Sequence, residues 1–369
     1  MSTLALMRSA GFITLMFVSA SASAQSLGDL KPSPEPLILQ SQGSFFVGGR
    51  TVETKTAGWG EMKDLFGESF EAGKVLVDQM YVQFQTPPHP SHMPIVFMHG
   101  GLLSSKQWET TPDGRMGWYE YFTRQGFPTY MAEQTGRARS GFNATIFNEV
   151  RDGSVPPGKQ PRVFLGTSNM AWKVFRFGPT LGEAWPGEQF PMDHVDEFYK
   201  QVIPDTFETQ VPSMLAELVS PETTNPTVEN FATLAQELGG AVLVGHSQTA
   251  GFPTQAVLKK KGGIKGIIQL ETGCFSNLTD DQVKILAKVP ILVMVGDHLG
   301  EHPDAPCVKE MDQIKAVGGD MTFISLPNVG LKGNTHMFMQ DKNNLEVADL
   351  LVNWVSDCLV GQAVCSRHG

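Results

Sequence analysis

An apolar run, Ala241-Val242-Leu243-Val244, breaks off at Gly245-His246-Ser247 and is followed by Gln248-Thr249-Ala250-Gly251. This stretch limits the possible folds more than any other. A short run apolar at every position suits a strand buried on both faces of a parallel sheet. Gly-x-Ser at its end, with small residues opening a helix, is the pattern of a strained turn that lifts a serine hydroxyl out of the sheet. Gly245 removes a Cβ where the following helix must pass. Ser247 is therefore the candidate nucleophile. Thr249 stands where that pattern normally has glycine, so a merely structural strand-to-helix turn is the competing reading.

The rest of the chain repeats the same rhythm. Pro94-Ile95-Val96-Phe97-Met98 is a second continuous apolar run, ending at His99-Gly100-Gly101, and Pro128 to Ala132 is a third, followed by the turn Glu133-Gln134-Thr135-Gly136-Arg137. Helical spacing over Gly117 to Gln125 and Phe252 to Lys260 alternates with strands over Ile264 to Leu270, Pro290 to Val295 and Met321 to Leu326, and a last helix spans about Asn343 to Val355. Ser44 to Val47 and Lys74 to Gln85 read as antiparallel edge strands. Alternating strands and helices imply an α/β fold with a mostly parallel sheet covered on both faces.

About a hundred residues separate the strand near Tyr130 from the one near Val242, far more than one crossover helix needs. They carry Trp172, Phe175, Phe177, Trp185 and Phe190, then helical stretches near Val195 to Val202, Phe207 to Leu218 and Val228 to Leu238. The organisation expected is a core of residues 43–140 and 239–369, with an insertion over 141–238 forming a lid or pocket wall. The plain alternative is that these aromatics only dock the insertion onto the core.

The N-terminus looks like an export signal. Arg8 precedes the apolar stretch Gly11 to Val18, and Ala22-Ser23-Ala24 supplies an A-x-A cleavage site before Gln25. Residues 1–24 are the signal peptide in this reading, and 25–42, with Pro32, Pro34 and Pro36, form an extended or mobile leader. No later stretch has the length of apolar sequence a membrane span needs. Lys and Arg total 28 against 38 Asp and Glu, a formal net charge of -10, which argues against nucleic acid as a partner. The four cysteines of an exported chain suggest two disulfides with three possible connectivities. Cys274–Cys307 with Cys358–Cys365 is favoured, at roughly 3.7 and 2.5 kcal/mol from loop length.

Acyl transfer by serine requires a base, a carboxylate to orient it, and donors for the developing oxyanion. In a sheet of this kind the chain order is serine, acid, histidine. His336 is the base candidate because it lies in the loop between last strand and last helix. Glu271 and Asp297 both end strands and compete as the acid; position favours Asp297, leaving the other as a loop cap. The main-chain N–H groups of Gln248 and Gly101 are the expected oxyanion donors. His99 and His246 are read as structural. Asp297-His298, Glu301-His302 and Asp304 could be imagined as a metal cluster, but serine chemistry requires no metal or cofactor.

Four blocks go further than these motifs: Trp108 to Trp118, Phe175-Arg176-Phe177-Gly178-Pro179, His246-Ser247-Gln248, and Gly333-Asn334-Thr335-His336-Met337-Phe338-Met339-Gln340-Asp341. In them the chain resembles the secreted bacterial esterase 713-like branch of the α/β-hydrolases, from about Gly43 to Val355. The resemblance implies an exported, homodimeric enzyme acting on small carboxylic esters. It implies Ser247 as nucleophile, His336 as base, and Gly101 with Gln248 as oxyanion donors. It moves the acid to Glu271, directly after the strand that follows the nucleophile strand, against the positional argument. The Cys274–Cys307 pair is similar to the family's. Some members carry adjacent cysteines after His-Gly; Gly101-Leu102 stands there in this chain and cannot form such a bond. The alternatives are a lactonase or amidase with the same triad, and a non-catalytic binding protein on the same fold, for which Thr249 is the one hint.

Overall fold

The computed structural model describes residues 26–56, 58 and 72–360. The signal peptide with its cleavage site, and Cys365 with its expected bond to Cys358, lie outside these residues. The chain from Ser26 runs extended along the body, where Arg124 donates to the carbonyls of Glu35 and Pro36. It then enters a long hairpin of β1 (Ser41–Thr54) and β2 (Gly73–Thr86). The remaining strands are β3 (Ile95–Met98), β4 (Thr129–Ala132), β5 (Ala241–His246), β6 (Ile264–Leu270), β7 (Ile291–Val295) and β8 (Met321–Ser325). They form one sheet in the order β1-β2-β4-β3-β5-β6-β7-β8. The β1/β2 and β2/β4 pairings are antiparallel and the rest parallel, as the apolar runs and the alternating hairpin require.

Helices cover both faces. In chain order they are α1 (Trp118–Arg124), α2 (Thr145–Arg151), α3 (Ser168–Val174), α4 (Val195–Tyr199), α5 (Met214–Leu218), α6 (Pro226–Glu237), α7 (Phe252–Leu258), α8 (Asp280–Leu286), α9 (Val308–Ala316) and α10 (Asn344–Val355). Alternate strand residues divide between two cores. Ile95, Phe97, Val242, Val244, Leu292 and Met294 pack with α1 and α10. Val96, Met98, Leu243, Ile291 and Val293 pack with α6 to α9. Strand β5, which ends just before Ser247, lies in the middle, with β3 on one side and β6 on the other.

Two expectations change here. The single helix expected over Phe207 to Leu218 is a 3-10 turn at Phe207–Thr209 and then α5; Pro212 lacks the N–H an unbroken helix would need, and the Ser213 side chain caps the new start. The stretch near Val228 to Leu238 is α6, which begins at Pro226 and packs on β1, β2 and β5, so the end of the insertion covers the sheet.

Cys274, just past β6, is bonded to Cys307 at the start of α9. One turn on, the fully buried Glu310 accepts the N–H of Phe275. Burial pushes its carboxyl up to about 7. An acid raised in the folded state keeps its proton after the unfolded chain has lost it, so stability should fall as pH rises from about 4.5 to 7. Glu310→Gln is expected to flatten that slope and raise the melting temperature at pH 8 by several degrees, since the penalty it removes is at most roughly 3 kcal/mol. Equal melting temperatures of variant and parent at pH 8 would contradict this.

Candidate active site

The elbow is built by local sterics. Ser247 has φ 55°, left-handed for a non-glycine residue. A Cβ on Gly245 would sit 2.1 Å from the carbonyl oxygen of Thr249, so only glycine lets the chain turn back so tightly. Thr249, the departure noted in the sequence, is bonded on both sides of the turn: its Oγ1 accepts the N–H of His246 at 3.1 Å and donates to the His99 carbonyl at 3.1 Å. Those bonds tie the turn to the end of β3, so the hydroxyl has a structural use at this site.

The structure brings Glu271 and His336 together. Glu271 follows β6 directly and is buried; its Oε2 lies 3.0 Å from His336 Nδ1. Oε1 accepts the Gly296 N–H at 2.8 Å. Arg176 grips both oxygens, Nη1 to Oε2 at 2.6 Å and Nη2 to Oε1 at 2.8 Å, while its Nε donates to the Asp297 carbonyl. Burial alone would raise this carboxyl, but the Arg176 guanidinium and His336 beside it hold it well below the usual carboxylate range. Asp297, the acid favoured by position, does something else. Its two oxygens accept the N–H groups of His298 and Gly333, so it caps the loop that carries His336. Asp341 holds the same loop through the Thr335 N–H and hydroxyl and the Asn334 amide.

His246 joins elbow to histidine loop. Fully buried, it approaches the His336 carbonyl through Nε2 at 2.9 Å, while Gln107 Nε2 lies 3.3 Å from its Nδ1. These partners fit a neutral ring with its proton on Nε2, and burial holds it neutral, with a pKa of about 3. His336 Nε2 has no hydrogen-bond partner among the described residues, so the bond to Ser247 is not made in this structure. His99 is likewise buried, accepting the Gln134 N–H.

The loop after β3 lies on a buried ion pair. Asp205 accepts the Leu102 N–H at 3.1 Å and the Gln248 side-chain amide at 3.0 Å, and its other oxygen takes Arg137 and the Phe207 N–H. Arg137 also donates to the Gly100 carbonyl and to Gln248 Oε1. Leu102 is held at φ 60°. Where some family members carry adjacent cysteines, this loop is bonded to a buried carboxylate–guanidinium pair. Ser247, Gln248, Gly101 and Glu271 line one cavity of about 400 Å3, walled by apolar groups such as Leu102, Met170, Phe175, Met214 and Phe252. That volume is at the small end for small-molecule sites.

A bacterial esterase of solved structure superposes on this chain with a TM-score of 0.78 at 39% identity, over 88% of this chain and 98% of that one. The chain belongs to this esterase family of the α/β-hydrolases. It is a serine hydrolase of the carboxylesterase class. The esterase is also 27% identical over 340 residues to the probable secreted lipase phiG of a fungus (Fungal sp.), 78% of this chain and 88% of that protein. No protein-family model matches it.

Sequence reasoning missed three charged residues of the esterase. Arg176 stood in a quoted block without a role; Arg137 ended the turn after β4; Asp205 lay unmarked in the insertion. A buried arginine paired with a carboxylate 95 or 68 positions away leaves no periodic trace. The available signal at Arg176 was its place between two phenylalanines in an otherwise uncharged block, and at Arg137 its place directly after Gly136 at the end of a strand-following turn. No group of three or more metal-ligating side chains occurs among the described residues, and no helix there is long and apolar enough to cross a membrane.

Proposed function

We propose that the protein is an exported carboxylic ester hydrolase working through a Ser247–His336–Glu271 triad and an acyl-enzyme. Ser247 Oγ adds to the ester carbonyl as its proton passes to His336 Nε2. The oxygen that becomes negative is received by the N–H groups of Gln248 and Gly101; the next N–H in that loop, of Leu102, is already committed to Asp205. The C–O bond then breaks, the alcohol leaving with the proton from His336. Water, giving a proton to His336, attacks the acyl group, and the free acid departs as Ser247 recovers its hydrogen. Glu271 keeps the Nδ1 proton in place and stabilises the imidazolium.

The observation that carries this reading is the 3.0 Å contact of Glu271 with His336 Nδ1 beside an elbow serine at positive φ. The nucleophile–base bond commonly tightens only when substrate is bound. The insertion is part of the proposal as a pocket wall, supported by Phe164, Met170, Val174 and Met214 lining the cavity. Export is supported by the secreted fungal relative together with the N-terminal pattern. A fluorophosphonate probe is expected to label wild-type protein at Ser247 and to leave Ser247→Ala unlabelled. Folded wild-type protein whose Ser247 stays unlabelled would overturn the mechanism.

A further inference from the structure

Exposed apolar side chains stand beside the lining of the cavity. Three neighbouring pieces of the insertion form its outer wall: the segment around Phe164, α3 and α5. Phe164, Val174 and Val219 line the cavity and are also exposed. Beside them in sequence, Val163, Leu165 and Leu215 are exposed too, Leu165 to 65% and Leu215 to 73%. Exposed apolar side chains therefore stand beside the cavity lining on these pieces, with Glu217 of the lining among those of α5. Exposed apolar side chains gathered at a cavity mark a site of contact.

The position of this rim limits what can cover it. A second copy of the chain or a protein partner seated there would cover the cavity holding Ser247 on this side and obstruct the entry of substrate. A surface made of substrate has the opposite effect, because it covers the rim and feeds esters into the cavity. The formal net charge of -10 disfavours anionic lipid head groups. We propose that the rim docks on assembled, uncharged apolar esters, so that the substrate class is a water-insoluble ester at its own interface. This rests on the reading of Ser247 as the nucleophile.

The test follows tributyrin hydrolysis through the solubility limit of the substrate, with p-nitrophenyl acetate as the soluble reference. The rate should climb by about tenfold or more as droplets form. The double variant Leu165→Asp/Leu215→Asp changes side chains outside the cavity lining; it should lose that climb while keeping kcat/KM on p-nitrophenyl acetate within about twofold. Cosedimentation with uncharged phosphatidylcholine vesicles reads the rim without any catalysis, and the wild type should pellet while the double variant stays in solution. Smooth saturation with no break at the solubility limit, or a double variant that keeps the break, overturns the proposal. So does a wild-type dimer that the double variant splits into monomers, since the rim would then join two copies. Vesicle binding by a protein inactive on p-nitrophenyl acetate would instead sink the nucleophile assignment and leave the rim standing.

Discussion

Glu271→Gln should lower kcat by about a thousandfold or more with little change in KM, while Asp297→Asn should stay within a few-fold of the parent. The difference follows from what each carboxylate touches. Arg176 presents two donors to Glu271, and a glutamine would turn its single acceptor oxygen toward them. Its NH2 would then face His336 Nδ1, which must become an acceptor, moving the ring proton to Nε2. That is the wrong tautomer for a base that takes a proton from serine. Asp297 holds two main-chain N–H groups, and an asparagine can still accept one, so the expected cost is about 1 kcal/mol of stability. Steady-state kinetics on protein of unchanged circular dichroism checks both. A large loss of kcat confined to Asp297→Asn would reassign the acid.

The second large effect concerns the pair under the Gly101 loop. Arg137 and Asp205 are almost completely buried, so removing one partner strands a charge in the interior. Asp205→Ala should cost about 3–5 kcal/mol, whereas the double variant Asp205→Asn/Arg137→Met should cost much less because no uncompensated charge is left. Both should lose activity. Alanine leaves the Leu102 N–H and the Gln248 amide no acceptor, and asparagine leaves one oxygen for donors that now use two, so the Gly101 N–H drifts from the proposed oxyanion position, a loss of about 10²-fold in kcat if one donor is misplaced. Urea titration gives the stabilities, and kcat measured well below the transition gives the second effect. Parental kcat in the folded double variant would show that the loop does not depend on the pair.

The fold was legible because buried parallel strands are apolar without interruption. Residues 95–98, 241–244 and 291–295 could be placed in a sheet from composition alone, and the elbow from two glycines and a serine. Short helices with little buried face were harder: α2, α3 and α8 span seven residues each and bury at most two of them, whereas α1 and α7, equally short, bury four or more. The site divided along another line. Ser247 and His336 follow from chain order, since each occupies a loop of fixed position in this architecture. Glu271 against Asp297 did not follow from position, because both end neighbouring strands; what favours Glu271 in the proposed triad is its contact with His336 and the grip of Arg176, whose approach is set by packing of the insertion. Resemblance to a family supplied that choice where position pointed to the other acid.

The short bridge between Phe164 and Asp205 connects two parts of the protein treated separately above. Phe164 lines the cavity, and Asp205 anchors the loop proposed to receive the oxyanion. If that role holds, selectivity and turnover share one piece of main chain. A library meant to alter which esters are accepted can vary outward side chains such as Leu165 and Leu215 without moving this main chain. Insertions or deletions that shift the main chain at 164 or 205 will change speed and preference together. Diversification of this branch is accordingly expected in side chains along the mouth more than in the length of the segments that carry them.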